Sequence, residues 1–273
     1  MNKLTLQEKL AIRGMIQQRQ IPEEGWVLLE RLFEENNANI RRATDPSLET
    51  GGSSCSSAAE VQISNMSYEN FRATIFVLGH GGVPKVADLP YLEPVNLDDL
   101  NLDNRLAESR IFLSNLPDQV TTDYIGFATY RWNEKFPKLR PILPLEKLWK
   151  LPLAKNVVWA PVLAEGWVAL SESYHPGMTK YLEEAASYSN MSLTQGHGMW
   201  CNNFICHKSV YKEFQQFFRH MFDFFFEKYG YSMDFGDIDE KRRVAYFYER
   251  MAILFFSNRT DLEIRAIPAR IKK

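Results

Sequence analysis

The chain has 273 residues, of which 24% are charged, and a formal net charge of −2 at pH 7. This length is enough to bury one substantial core, and the balanced charge provides no global field that would attract nucleic acid or an anionic membrane. Three cysteines are too few for a disulfide framework, and the first residues lack the apolar stretch of a secretory signal. We therefore expect a cytoplasmic protein without a transmembrane segment, with a peripheral location at the inner face of a membrane as the alternative.

Residues 4–42 predict two helices. Thr5 and Glu8 form a capping box at the start of the first, and Pro22 opens the second. The Ser- and Gly-rich segment after them predicts a linker. We place a boundary there, which gives an N-terminal helical extension with linker at 1–60 and a main domain at 61–273. We expect these helices to pack onto the main domain, with a homodimer contact or a membrane-surface element as the alternatives.

The main domain alternates strand and helix patterns, which favours an α/β fold with a mixed, mostly parallel sheet flanked by helices. In such folds, ligands bind outside the carboxyl ends of the strands. Two long amphipathic helices are predicted around Phe214 and Phe247. The other predicted elements are strands at 73–80, 123–129, 156–163, 199–207 and 262–268, and a helix at 103–116.

Polar residues follow several of the predicted strands and are candidates for a binding site. The glycines of His80-Gly81-Gly82 permit close backbone approach, so their amides could hold a phosphate or ribose; a plain turn is the alternative. Asn202 and Asn203 would be costly to bury without partners. Their amides match sugar hydroxyls, with neighbouring backbone as the alternative partner.

Two other chemistries are weaker interpretations. The His80-Gly81-Gly82 turn is similar to the oxyanion-hole loop of lipases, but no Gly-x-Ser-x-Gly elbow is present, and only Ser171, Ser173 and His175 could substitute for a hydrolase nucleophile and base. A zinc site is not expected. If 200–207 is a strand, its alternation places Cys201 and His207 on one face and Cys206 on the other, which cannot close a tetrahedron.

The last long helix contains Glu249 and Arg250 on or beside its apolar face. They could form a solvated edge, or Glu249 could point into a cleft as a carboxylate. Asp237 and Asp239 precede this helix, where acids suit the helix dipole. A divalent cation, manganese or magnesium, bound by these two aspartates is the competing interpretation.

Four segments show a family resemblance, and they occur in the same order along the chain as in the family. "YIGFATYRW" resembles the family strand "YIGLCHYRRY", and "NRLAESRIF" resembles the "N-x-x-E-x-x-x-x" helix that precedes this strand in the family. "NNFICHKSVYKEF" resembles "NMFIMKKEIFDEY", and "RRVAYFYERM" resembles "R-x-x-GFLAERL". Together they resemble a domain family of capsule, exopolysaccharide and lipopolysaccharide biosynthesis proteins, regarded as glycosyltransferases of the GT-A type, over roughly residues 73 to 267.

The resemblance implies transfer of a sugar from a nucleotide-diphosphate sugar to a glycan or lipid-linked saccharide acceptor. It implies Glu249 and Arg131 as catalytic residues. The acceptor-binding residues would be His197, Trp200, Asn202, Asn203 and Arg250. The donor-binding residues would be His80, Gly81, Gly82, Asn104, Glu108, Thr129, Tyr130 and Arg131.

We have a specific hypothesis for the role of Arg131. Most GT-A enzymes hold a divalent ion with Asp-x-Asp at this strand end, where the chain has Thr129-Tyr130-Arg131. A guanidinium suits phosphate oxygens, so we expect Arg131 to replace the metal in stabilising the leaving diphosphate. The alternative function is a non-catalytic nucleotide- or glycan-binding module on a transferase scaffold.

Overall fold

A computed structural model describes residues 72–139, 141–161, 163–164, 166–194, 198–199, 202–236 and 240–271. The predicted N-terminal helices and the boundary at residue 60 lie outside this range and stay predictions. The described residues form a mixed α/β fold with a six-stranded, mostly parallel sheet flanked by helices, so the predicted fold class is confirmed.

The sheet has the strand order β2-β1-β3-β7-β4-β8. Five strands run in one direction, whereas β7 is antiparallel to both of its neighbours. The short strands β5 and β6 pair with each other in a separate ladder. The strands are β1 Ala73–Gly79, β2 Leu92–Asn96, β3 Tyr124–Thr129, β4 Val157–Ala160, β5 Leu163–Ala164, β6 Gly198–Met199, β7 Phe204–His207 and β8 Glu263–Ala266.

Six α-helices and four 3₁₀ turns connect the strands in the described part of the chain. The helices are α1 Arg110–Leu113, α2 Trp132–Leu139, α3 Trp167–Tyr174, α4 Thr179–Ser189, α5 Lys208–Tyr229 and α6 Glu240–Ser257, and the turns are Leu97–Leu100, Asn104–Ser109, Leu116–Gln119 and Leu145–Lys150. Among these helices, none combines the length and apolar character that crossing a membrane requires.

The core is an aromatic cluster between the sheet and the two long helices. Phe112 of α1 contacts the rings of Phe127 on β3, Phe204 on β7, and Phe214 and Phe218 on α5. The predicted apolar stripe of α6 is buried from Val244 to Phe255. Because this packing fixes α1 and α6 against the sheet, it also fixes the polar residues that these two helices carry.

The predicted helix at 103–116 is wrong in detail. A 3₁₀ turn, Asn104–Ser109, comes first and the short helix α1 follows. Ala107 interrupts the run with φ 46° and ψ −130°, a conformation that costs a non-glycine residue on the order of 1–3 kcal/mol. The sequence shows no helix breaker here, so only the tertiary structure reveals the break.

Two predicted strands are shorter than expected. The run 199–207 contains β7 only from residue 204, and the run 156–163 contains β4 only to residue 160. Asn202 and Asn203 therefore precede a strand instead of lying inside it. The edge strand β2 was missed because it contains Pro94, which an edge tolerates, and α2 was missed because Pro137 lies within it.

Candidate functional site

The reversed strand β7 brings its amino end to the edge where β1 and β3 end. The residues entering β7, Asn202 and Asn203, therefore lie beside the residues leaving β3. The Oδ1 atom of Asn203 accepts a hydrogen bond of 2.6 Å from the backbone N–H of Thr129. Both asparagines are buried, so this part of the predicted convergence is present in the structure.

A small cavity lies at this edge, with room for about one water molecule. The ends of β1 and β3 contribute Leu78 and Thr129, and the approach to β7 contributes the two asparagines. Three charged side chains from other elements complete the lining. These are Glu108 from the 104–109 turn, Lys135 from α2 and Glu249 from α6.

Glu249 is a mostly buried carboxylate in the lining of this cavity. Its side chain is 16% exposed, and its Oε2 atom lies 3.3 Å from a guanidinium nitrogen of Arg250. Burial raises the pKa of Glu249 above its ordinary value; the positive charges of Arg250 and Lys135 oppose this shift, and Glu108 adds to it. A raised pKa makes a carboxylate a stronger base than usual, which favours its use in proton transfer.

A hydrogen bond to α3 holds the side chain of Arg250 in place. Its Nε atom donates a 2.9 Å hydrogen bond to the hydroxyl of Ser171 on α3, which in turn donates to the carbonyl of Trp167. Arg250 is buried and does not line the cavity. Arg250 contacts Glu249 directly, so in this structure it is a partner of the carboxylate.

Asn202 has an unusual hydrogen-bond balance. Its Nδ2 atom donates to the hydroxyl of Ser109 at 2.9 Å, but its Oδ1 atom is buried without a partner among the described residues. An unsatisfied buried acceptor costs about 1–3 kcal/mol. Because Asn202 lines the cavity, a hydroxyl group of a ligand would satisfy this oxygen.

The glycine amides after β1 already have partners. The N–H of Gly81 donates to Asp98 at 2.7 Å, and the N–H of Gly82 donates to Asn96 at 3.3 Å. Both glycines have positive φ, as the predicted turn requires. A phosphate could use these amides only by displacing Asp98 and Asn96.

Arg110 was missed by the sequence analysis. Its side chain is 1% exposed, and its guanidinium contacts predicted donor-side residues, namely His80 at 2.8 Å and Asn104 at 2.6 Å. The same group contacts Asp98 at 3.0 Å. An arginine inside a run that reads as an ordinary amphipathic helix gives no sign of this role, because its partners lie up to 30 residues away.

Tyr130 and Arg131 lie at the corner between β3 and α2, and both are exposed. The Nε atom of Arg131 donates to Glu134 at 3.0 Å, and the two side chains are 58% and 65% exposed. Lys135, one turn into α2, is the basic side chain that lines the cavity. Lys135 was not predicted, because the sequence pattern did not indicate α2.

The residues of the hydrolase alternative do not form a nucleophile and base pair. The hydroxyl of Ser171 is used by Trp167 and Arg250, and the hydroxyl of Ser173 donates to the carbonyl of Leu170. His175 is buried against the ring of Tyr246, and burial, with the charges of Arg250 and Arg242, lowers its pKa to about 4.

Several predicted site residues lie outside the described residues, so their placement stays open. They are His197, Trp200, Asp237 and Asp239. Within the described ranges, no group of three or more His, Cys, Asp or Glu side chains could hold a metal ion. Of the residues considered for zinc, Cys206 is buried, and His207 caps the start of α5.

No protein-family model matches the chain, and no curated protein matches it either. Among solved structures, the chain is similar to one described as the apo structure of the WbbM bifunctional glycosyltransferase. That similarity has a TM-score of 0.48 and 12% sequence identity. It covers 72% of this chain and 44% of the other, so the chain spans less than half the length of that protein.

Proposed function

We propose that the protein is a glycosyltransferase that moves a sugar from a nucleotide-diphosphate sugar to a hydroxyl group of a glycan or lipid-linked saccharide. The main support is the position of Glu249, a carboxyl group with a raised pKa in a small polar cavity at the carboxyl ends of β1 and β3. The resemblance of four sequence segments to surface-polysaccharide glycosyltransferases supports the same reaction class.

The size of the cavity supports a proposal for where each part of the substrate binds. Because it has room for about one water molecule, it suits the reacting hydroxyl of the acceptor and excludes a nucleotide. Asn202 Oδ1 would accept a hydrogen bond from the acceptor sugar, and Glu249 would remove the proton from the reacting hydroxyl as it attacks the sugar. The nucleotide would then bind outside the cavity, across the exposed residues after β1 and β3.

We propose that two basic residues act on the leaving diphosphate. Lys135 lines the cavity, and Arg131 lies at the adjacent corner, where its exposed pair with Glu134 is weak enough to exchange for phosphate oxygens. A guanidinium or ammonium group beside the leaving diphosphate stabilises the developing charge. Arg131 is therefore the proposed substitute for a metal ion, and Lys135 is proposed to assist it in stabilising the leaving diphosphate.

A binding module without turnover is the second candidate. The observation in its favour is the occupation of the Gly81 and Gly82 amides by Asp98 and Asn96, which leaves the diphosphate without backbone donors in this loop. A module of this kind would bind a nucleotide or glycan but release no product.

The test is to incubate the protein with uridine, guanosine, cytidine and thymidine diphosphate sugars, with and without manganese and mixed saccharide acceptors. Release of the nucleoside diphosphate is measured. We expect release with at least one donor and a loss of about 10²–10⁴-fold in Glu249→Gln. The matched control is Glu263→Gln on β8, an exposed carboxylate paired with Arg265.

The outcomes separate the candidates. Full activity in Glu249→Gln would show that the Glu249 carboxylate does not take part in the reaction. Binding of a nucleoside diphosphate without release from any donor would favour the binding module, and neither binding nor release would reject both.

A further inference from the structure

Arg110 joins three segments beside the cavity from a fully buried position. One terminal nitrogen contacts both His80 Nδ1 and Asp98, the other donates to Asn104, and Nε donates to the carbonyl of Ala107 at 3.2 Å. Asp98 in turn accepts from the Gly81 amide. The loop after β1 and the 104–109 turn, which contains Glu108, are therefore fixed by one side chain.

The contact with His80 determines which ring nitrogen holds the proton. A guanidinium has only donors, so His80 Nδ1 must be the acceptor in the 2.8 Å contact. Since a neutral imidazole has one N–H, the proton of His80 then lies on Nε2.

A charged His80 paired with Asp98 is the competing arrangement. The distance from His80 Nδ1 to Asp98 Oδ1 is 3.8 Å, which is too long for a hydrogen bond. The shorter contact with Arg110 therefore decides the assignment, and Asp98 is left to accept from Arg110 and Gly81.

His80 directly follows Gly79, the last residue of β1, at the strand end where the cavity residue Leu78 also lies. The side chain is 38% exposed, and its Nε2 atom has no hydrogen-bond partner in the part of the chain that the structure describes.

We infer that Arg110 is a positioning residue that fixes His80 in the Nε2–H tautomer and so presents one hydrogen-bond donor to the diphosphate of a bound nucleotide. The identity of the ligand rests on the proposed function; the tautomer does not. In this arrangement the loop offers a side-chain donor where its glycine amides are already occupied.

The tautomer is measured first, by nitrogen NMR of the full chain labelled at histidine, without ligand. We expect His80 of the natural protein to be protonated at Nε2 and unprotonated at Nδ1. Arg110→Gln should give a mixture of tautomers, whereas Arg105→Gln, which removes an exposed arginine paired with Asp103, should not. A His80 ring protonated at Nδ1 in the natural protein overturns the inference even if Arg110→Gln fails to fold.

The ligand role is measured by calorimetric titration with nucleoside diphosphates. The amide of glutamine can place an N–H near the position of His Nε2, so His80→Gln should bind within about threefold of the natural protein. His80→Phe should bind about 10-fold or more weakly, the effect of losing one hydrogen bond to a charged group.

Equal binding by His80→Phe and the natural protein would overturn the donor role. If the natural protein itself binds no nucleoside diphosphate, the donor role and the proposed function are both overturned. In that case the tautomer measurement still decides whether Arg110 positions His80.

Discussion

Arg250 and Arg131 were both predicted to act at the same sheet edge, yet they lie in very different environments. Arg250 is 2% exposed and contacts Ser171 and Glu249. The side chain of Arg131 is 58% exposed and pairs with Glu134. A buried pair is costly to break and an exposed pair is worth little. The comparison shows that the same side-chain chemistry can be a buried structural partner in one place and an exposed, exchangeable group in the other.

The largest expected effect is on stability at the buried arginine. Arg250→Met would leave the buried Glu249 carboxylate and the Ser171 hydroxyl without this partner, so we expect the free energy of unfolding to fall by about 3–5 kcal/mol. The matched variant Arg131→Met should change it by less than about 1 kcal/mol. Urea unfolding measures both, and equal losses would break the comparison.

The second expected effect is on activity at the exposed corner. If Arg131 stabilises the leaving diphosphate, Arg131→Ala should lower kcat by about 10²-fold with stability almost unchanged. Lys135→Ala tests the cavity cation in the same assay, and Lys155→Ala, which lies before β4 at the other edge of the sheet, is the control. A full loss in Lys135→Ala with none in Arg131→Ala would transfer the role to Lys135.

The third effect is a pH dependence of stability from His175. The folded protein binds the proton only near pH 4, whereas the unfolded chain binds it near pH 6.5, so the free energy of unfolding falls as the pH falls between these values. We expect a decrease of about 2 kcal/mol between about pH 7 and pH 5 from this group.

His175→Phe keeps an aromatic ring against Tyr246 and should remove this part of the pH dependence. His220→Phe replaces an exposed histidine and should leave the dependence in place. If both variants retain the natural slope, burial of His175 is not its source.

The smallest effect concerns the strained Ala107. Glycine adopts φ 46° without steric cost, so Ala107→Gly should raise the free energy of unfolding by about 1 kcal/mol, since relief of strain exceeds the added chain entropy. Ala154→Gly, in a loop at negative φ, should lower it slightly. If Ala107→Gly lowers the free energy of unfolding, Ala107 is not strained, and the hydrogen bond from Arg110 to its carbonyl does not hold a strained turn.

Sequence patterns predicted the strands β1 and β3 and the two long helices because their apolar residues are continuous or follow the helical repeat. They also singled out Thr129, Asn202, Asn203 and Glu249, and the family resemblance added Glu108; the structure brings all five to one cavity. Lys135 and Arg110 could not be found in this way. The roles of both depend on contacts between segments distant in sequence, and periodicity contains no information about those partners.

The opposite direction of β7 has a consequence for how this edge can vary. Asn203 is held by Thr129 only in the observed pairing of Phe204 with Phe127. A slip of one residue along β3 would turn Phe204 away from the aromatic core and move Asn203 away from the Thr129 amide. An insertion within β7 would therefore change the aromatic core and the lining of the cavity together, because both depend on the same register.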